Sequence, residues 1–274
     1  MQQRCDIISV VTVVYNGKNF IEKTLQSVLS QDYPYIEYIV IDGGSTDGTV
    51  DIIKKYSDQI TYWISEPDKG IYDAMNKAID RATGKWINFM NAGDYFYSDN
   101  AIKDIFSTDT DIDKYAIIYG DAEFRLKNIA YIVPAGDECN TNEYMPFSHQ
   151  AAFIKSDIAK ATKFDTSYRI VADTALSLKL LREGYQFKHI PVVVCSYDAL
   201  EGLSVQNSIR RSKELVDMQV KLNGANPNSS YFKRYIRNAY IKQYFKKLLP
   251  TSLWTRFRES DIKKNNPYTY VNTK

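Results

Sequence analysis

Between residues 7 and 90 the chain alternates short apolar runs with amphipathic stretches. Residues 7–14 are apolar and rich in β-branched side chains, and Asn16-Gly17 follows them. Such a run predicts a buried strand. Phe20, Ile21, Leu25, Val28 and Leu29 then recur at helical spacing. Residues 35–41 predict a second strand, ended by Asp42-Gly43-Gly44. Asp47-Gly48 opens a helix carrying Val50, Ile52, Ile53 and Tyr56. Residues 60–64 predict a third strand. Lys69-Gly70 opens a helix carrying Ile71, Met75, Ala78 and Ile79, stopped at Gly84, before a fourth strand at 86–90. This alternation predicts βαβ units, hence an α/β fold with a mostly parallel central sheet flanked by helices. Ligands of such sheets sit at the carboxyl ends of the strands. Here those ends are Tyr15-Asn16, Asp42-Gly43-Gly44, Glu66-Pro67-Asp68 and residues 91–94.

The second half is patterned differently. Residues 115–119 and 130–133 predict strands about a turn, and 151–154 another short strand. Residues 173–182 predict a helix closed by Gly184. Residues 187–195 predict a strand interrupted early by Pro191. These elements suit a mixed sheet edge continuous with the first half. From about residue 204 the chain turns helical, polar and basic. The division is therefore a domain over 1–205, with halves at 1–98 and 99–205, and an extension over 206–274.

Charge narrows the function classes. The 35 Lys and Arg nearly cancel the 33 Asp and Glu, which argues against a dedicated nucleic-acid binder. Cys5, Cys139 and Cys195 are odd in number and lack metal-type spacing, which suits a reduced, cytoplasmic setting. The opening apolar run is shorter than a membrane span.

Four segments carry candidate chemistry. In VIDGGSTDGT, residues 40–49, a carboxylate at a strand end precedes glycines and a helix start. Asp42 there can accept hydrogen bonds from a base or ribose, Gly43 lets backbone approach a ligand, and Ser45, Thr46 and Asp47 can cap the helix. An ordinary β–α turn has the same look. In SEPDKGIYDAMNKAI, residues 65–79, Asp68 and Lys69 stand at a helix start, where Lys69 can hold a diphosphate. In NAGDYF, residues 91–96, Asp94 at a strand end can ligate a hard divalent ion. In the fourth region, His149 and Gln150 precede a short strand, and Asp173 lies at a helix start. Asp173 there is either an N-cap or a general base.

Together these segments, with the opening SVVTVVYNG, resemble family 2 glycosyltransferases of the GT-A fold over roughly residues 7–205. The branch most similar builds bacterial capsules, exopolysaccharides and O-antigens. The resemblance implies an inverting enzyme that uses a nucleotide-diphosphate sugar, UDP-linked first, with GDP- and dTDP-sugars open. It implies a donor-binding half at 1–98 and an acceptor-binding half at 99–205. Val13, Tyr15, Asp42, Gly43, Asp68, Lys69, Asn91 and Ala92 would bind the donor. His149 and Gln150 would face the acceptor, although His149 can equally be structural. Asp94 would serve a Mn²⁺ or Mg²⁺ site and Asp173 would be the base. The chain departs from the family pattern at the metal motif, where Gly93 stands in place of a carboxylate, and before the base, where Ala172 replaces an acid.

Phe232, Tyr235, Ile236, Ala239, Tyr240 and Tyr244 form one helical stripe, with Lys233, Arg234, Arg237, Lys242 and Lys246 around it. The stripe suits packing on the catalytic domain or on a second subunit of a homodimer. The basic rim suits peripheral contact with the inner face of an anionic membrane, where a lipid-linked saccharide acceptor would be found. Two alternatives remain at this stage. A sugar-1-phosphate nucleotidyltransferase should carry a Gly-rich basic loop where Tyr15-Asn16-Gly17-Lys18 stands. An inactive nucleotide-sugar-binding relative is favoured by Gly93 and opposed by Asp94 and Asp173.

Overall fold

The first apolar run becomes a central strand of the sheet. The computed structural model describes residues 5–107, 111–126, 129–136, 145, 147–200, 202–265 and 270–271. In it, β1 spans Ile8–Val14 and every residue of the strand is buried. Val11 and Val13 join the core on one face of the sheet, and Ile8, Val10 and Val14 join the core on the other. Both faces are packed, so the strand needs no polar alternation. Next come α1 (Ile21–Leu29), β2 (Ile36–Asp42), α2 (Thr49–Lys55), β3 (Tyr62–Ser65), α3 (Ile71–Arg81) and β4 (Trp86–Phe89). β3, β2, β1 and β4 lie side by side and parallel. α1 buries Ile21, Leu25 and Val28 on one face, and α3 buries Met75, Ala78 and Ile79 on the other. The four strands therefore end together, at Val14, Asp42, Ser65 and Phe89.

The second half adds β5 (Tyr95–Phe96), α4 (Ala101–Phe106), β6 (Ile117–Arg125), β7 (Ala130–Val133), β8 (Ala152–Lys155), α5 (Ser156–Thr162), α6 (Ala172–Arg182) and β9 (Phe187–Asp198). β8 runs antiparallel to β4 and β6, and β7 antiparallel to β6. β9 is parallel to β6 and antiparallel to β5. The sheet is parallel across its first four strands and mixed beyond them. The mixed edge is continuous with the first half, as its pattern suggested.

β9 is not ended by Pro191. Its pairing with β6 shifts register between the Tyr119–His189 and Asp121–Val193 pairs, so Pro191 falls where the ladder is already broken and its missing N–H costs nothing. Gly120 occupies the facing position. A Cβ there would clash with the Val192 carbonyl oxygen and crowd a Val194 methyl. Gly120→Ala should therefore destabilise the fold by about 1–3 kcal/mol, the usual cost of overpacking. Urea denaturation measures it, and an unchanged midpoint would show that the bulge can yield.

The extension comprises α7 (Leu203–Gln206), α8 (Ser208–Asn223), α9 (Ser230–Leu248), α10 (Thr251–Asn265) and β10 (Tyr270–Val271), which pairs with β7. α8 packs on α6 and α9. Ala239 is the buried residue of α9, with Phe232, Tyr235 and Ile236 partly covered. Tyr240 and Tyr244 stay exposed, as do Ile241, Phe245 and Leu248, and Leu253 and Phe257 of α10. Packing thus accounts for one edge of the expected stripe only. Among the described residues no helix is long and apolar enough to cross a membrane. Cys139 lies outside the described residues.

Candidate active site

A cleft of about 540 Å³ opens at the carboxyl ends of β1 and β4, within the usual size range of small-molecule sites. Val13, Tyr15 and Asn16 line it from β1 and its following loop, and Asp68, Gly70, Ile71 and Ala74 from the β3–α3 junction. Asn91 and Ala92 come from beyond β4. Arg169 and Ile170 precede α6, Leu203 opens α7, and Asn207 and Arg210 belong to the extension. The Tyr15 ring is 65% exposed, so its face is free to stack on a planar ligand.

Five of the eight expected donor residues line this cleft: Val13, Tyr15, Asp68, Asn91 and Ala92. The other three do not. Asp42 is fully buried and turned into its own loop, where it accepts from the amides of Gly44 (3.1 Å) and Ser45 (2.9 Å) and from the Ser65 hydroxyl (2.6 Å). Its hydrogen-bonding capacity is spent on the turn. Gly43 acts indirectly, since a Cβ there would clash with the Asp68 carboxylate. The Lys69 side chain is exposed and outside the cleft, while its amide donates to Asp73 Oδ2 at 3.0 Å. Capping of α2 is also simpler than expected. Asp47 Oδ1 accepts from the Thr49 amide at 3.0 Å, whereas Ser45 and Thr46 bond elsewhere.

Next to the cleft sits a half-buried polar cluster. Asp173 is the second residue of α6, whose N-cap is Val171, so it is not the cap. Its carboxylate instead meets His149 Nδ1 at 3.4 Å and the Tyr72 hydroxyl at 3.0 Å. Burial pushes Asp173 upward, but the hydrogen bond and charge of His149, the Thr174 amide and the Tyr72 hydroxyl outweigh it, and the net shift is downward. Burial likewise pulls His149 down, and Asp173 and Asp94 more than reverse it. Both shifts favour the charged forms of the pair. The Asn91 amide nitrogen lies 3.1 Å from His149 Nε2, and which of the two donates depends on the ring's tautomer.

Gln150 is 8% exposed and donates to Asp94 Oδ2 at 2.7 Å. Neither it nor His149 lines the cleft. His149 contacts Asp173 and Gln150 contacts Asp94. Burial pushes Asp94 up to about 6, against the opposing pull of Gln150, His149 and Arg125. Arg125 braces the same loop, donating to the Gly93 carbonyl at 2.8 Å with its guanidinium stacked on Tyr95.

This donor set fits a divalent cation poorly. Asp94 brings a single carboxylate, and one of its oxygens is already taken by Gln150. Gly93, where the family pattern has a second acid, has φ +101°, a conformation that side chains rarely adopt. Among the described residues no group of three or more His, Cys, Asp or Glu could hold a metal ion.

The family model for glycosyl transferase family 2 matches residues 9–173. The chain belongs to this family. That sets the nucleotidyltransferase alternative aside. It is 26% identical over 206 residues to the PGL/p-HBAD biosynthesis glycosyltransferase of Mycobacterium tuberculosis, covering 72% of this chain and 79% of the relative. It is 37% identical over 102 residues to the putative teichuronic acid biosynthesis glycosyltransferase TuaG of Bacillus subtilis, covering 36% of this chain and 40% of that protein. Among solved structures, the mannosyltransferase PcManGT of Pyrobaculum calidifontis, in complex with GDP-Man and Mn²⁺, superposes with a TM-score of 0.61 at 22% identity. That match covers 94% of this chain and 76% of the other. S. aureus TarS 1-349, in complex with UDP-GlcNAc, gives 0.59 at 16% identity, covering 85% and 71%. The fold of this glycosyltransferase is thereby the GT-A fold.

Arg169, Asn207, Arg210 and Tyr72 are site residues that sequence reasoning passed over. Arg169 stands four places before Asp173, and Arg210 lies beyond the expected domain boundary at 205. The cleft is built across that boundary.

The buried Asp94 makes a checkable prediction. Its pKa is near 6 in the folded chain against 3.8 unfolded, so the folded state binds the proton more tightly. Stability is full below about pH 4 and falls as pH rises toward about 6, by about 3 kcal/mol. Asp94→Asn lacks this titration and should be the more stable protein at pH 7.5, with little difference at pH 4.5. Urea unfolding in chelating buffer tests it; a wild-type slope in the variant would place the pH dependence elsewhere.

Proposed function

We propose that this glycosyltransferase inverts the anomeric centre of a sugar carried by a nucleoside diphosphate, UDP first among candidates, and passes it to a saccharide acceptor. The observation that carries this reading is the ionised carboxylate of Asp173, held next to the cleft by His149 and Tyr72. The acceptor oxygen attacks the anomeric carbon from the face opposite the diphosphate, and Asp173 takes its proton as the new bond forms. The bond to the phosphate oxygen breaks in the same displacement, so no covalent enzyme intermediate is needed. The Tyr15 ring and Asp68 receive the nucleoside. UDP-GlcNAc in TarS and GDP-Man in PcManGT support a nucleotide-sugar donor. Asp173→Asn keeps an acceptor for Tyr72 and loses the base. Transfer should fall about 10³-fold with nucleotide affinity within about twofold. Labelled-sugar transfer and calorimetry read the two; near-normal turnover would remove Asp173 from the role.

The acceptor reading is a lipid-linked saccharide at a membrane face. Ile241, Tyr244, Phe245 and Leu248 are exposed on α9 and continue into Leu253 and Phe257 of α10. Lys242, Lys246 and Lys247 stand among them. Apolar side chains inside a basic rim suit the headgroup region of an anionic bilayer. The chain should sediment with phosphatidylglycerol vesicles and not with phosphatidylcholine vesicles, and Phe245→Ser should weaken binding severalfold. Absence of vesicle binding together with a dimer in light scattering would assign the face to a second subunit instead.

A further inference from the structure

We infer that Arg169 and Arg210 hold the donor diphosphate and stabilise it as it leaves, taking over the charge that a carboxylate-bound metal would supply. The inference rests on the nucleoside-diphosphate donor proposed above.

Three charged residues line the cleft: Asp68, Arg169 and Arg210. The two cations come from different elements and share one mount. Glu214 of α8, only 12% exposed as a side chain, accepts from Arg210 Nε at 2.8 Å. The same carboxylate accepts from the amides of Arg169 at 3.1 Å and Ile170 at 2.9 Å. Nε of Arg210 is therefore spent, while its two Nη groups remain as donors. The Arg169 guanidinium lies over Gly70, where any Cβ would clash with Nη1. Among the described residues it has no carboxylate within ion-pair distance, although its backbone is held firmly. A guanidinium positioned in a ligand cleft without a counter-ion calls for an anion, and the planar fork of donors matches phosphate oxygens.

The same assignment explains the thin metal site. In the transfer, the bond between the anomeric carbon and the β-phosphate oxygen breaks and its electron pair stays on that oxygen. The diphosphate thereby gains one negative charge, while the acceptor's proton passes to Asp173. Something fixed and positive must face the developing charge. Asp94 alone, with Oδ2 already accepting from Gln150, is a weak anchor for a cation, and Gly93 has no carboxylate to add. Arg169 and Arg210 are already in the cleft.

The test is calorimetric titration of the full chain with UDP, GDP and dTDP, each in EDTA and in Mn²⁺. The preferred nucleotide should bind in EDTA within about threefold of its Mn²⁺ affinity. Arg169→Gln and Arg210→Gln should each weaken it about tenfold, the scale of a lost charge-assisted hydrogen bond. Arg169→Lys should recover part of the loss. Binding of the matching nucleoside, followed by saturation-transfer NMR, should not change in any variant, which a merely structural role for the arginines would not predict. Loss of nucleotide binding in EDTA, or Gln variants that bind like wild type, would overturn the assignment and leave the donor reading standing. Failure of all three nucleotides in both buffers would overturn the donor reading and this inference together.

Discussion

Contact with His149 sets the two carboxylates of the site apart. Desolvation pushes both Asp94 and Asp173 upward. His149 touches Asp173 directly, with Tyr72 on its other oxygen, while Asp94 receives only the amide of Gln150 and charge from further away. Asp173 is accordingly lowered and Asp94 raised to about 6. In the proposed reaction this keeps Asp173 ionised and able to accept a proton. Because His149 and Gln150 follow one another in a single turn before β8, one short segment ties the end of β4 to the start of α6. The geometry of the active site depends on that tie.

The strands of the first half were legible because they are buried on both faces. A run such as residues 8–14 is short for a buried helix, rich in β-branched side chains and followed by Asn16-Gly17, which favours a strand. In the second half the interruption of a strand at Pro191 was legible, but its cause was not: a register shift opposite Gly120 on the facing strand, a long-range pairing that no local window contains. α4 and α5 are single short helices without a full amphipathic repeat.

At the site, residue type was a better guide than side-chain direction. Asp42 stands where a ligand-binding carboxylate would stand, but the amides of its own turn claim it first. Lys69 and Arg169 are both cations near the same helix start, and only the second points into the cleft. His149 and Gln150 contact Asp173 and Asp94 and lie outside the lining of the cleft. These choices depend on which neighbour reaches a group first, and that is a property of the folded chain.

The extension is more than a tail added to a finished enzyme. Glu214 fastens α8 to the loop that carries Arg169 and Ile170, and Asp217 adds a bond to the Tyr168 hydroxyl at 3.0 Å. The Ile170 carbonyl lies 2.9 Å from the Tyr72 hydroxyl, which also reaches Asp173. A continuous chain of contacts therefore runs from α8 through residues 168–170 to the carboxylate of Asp173. A displacement of α8 would move both cleft arginines and disturb the partner of Asp173 at once. α9 packs on α8 and carries the exposed apolar and basic face, while Arg210 of α8 lines the cleft, so one helix lies between that face and the cleft.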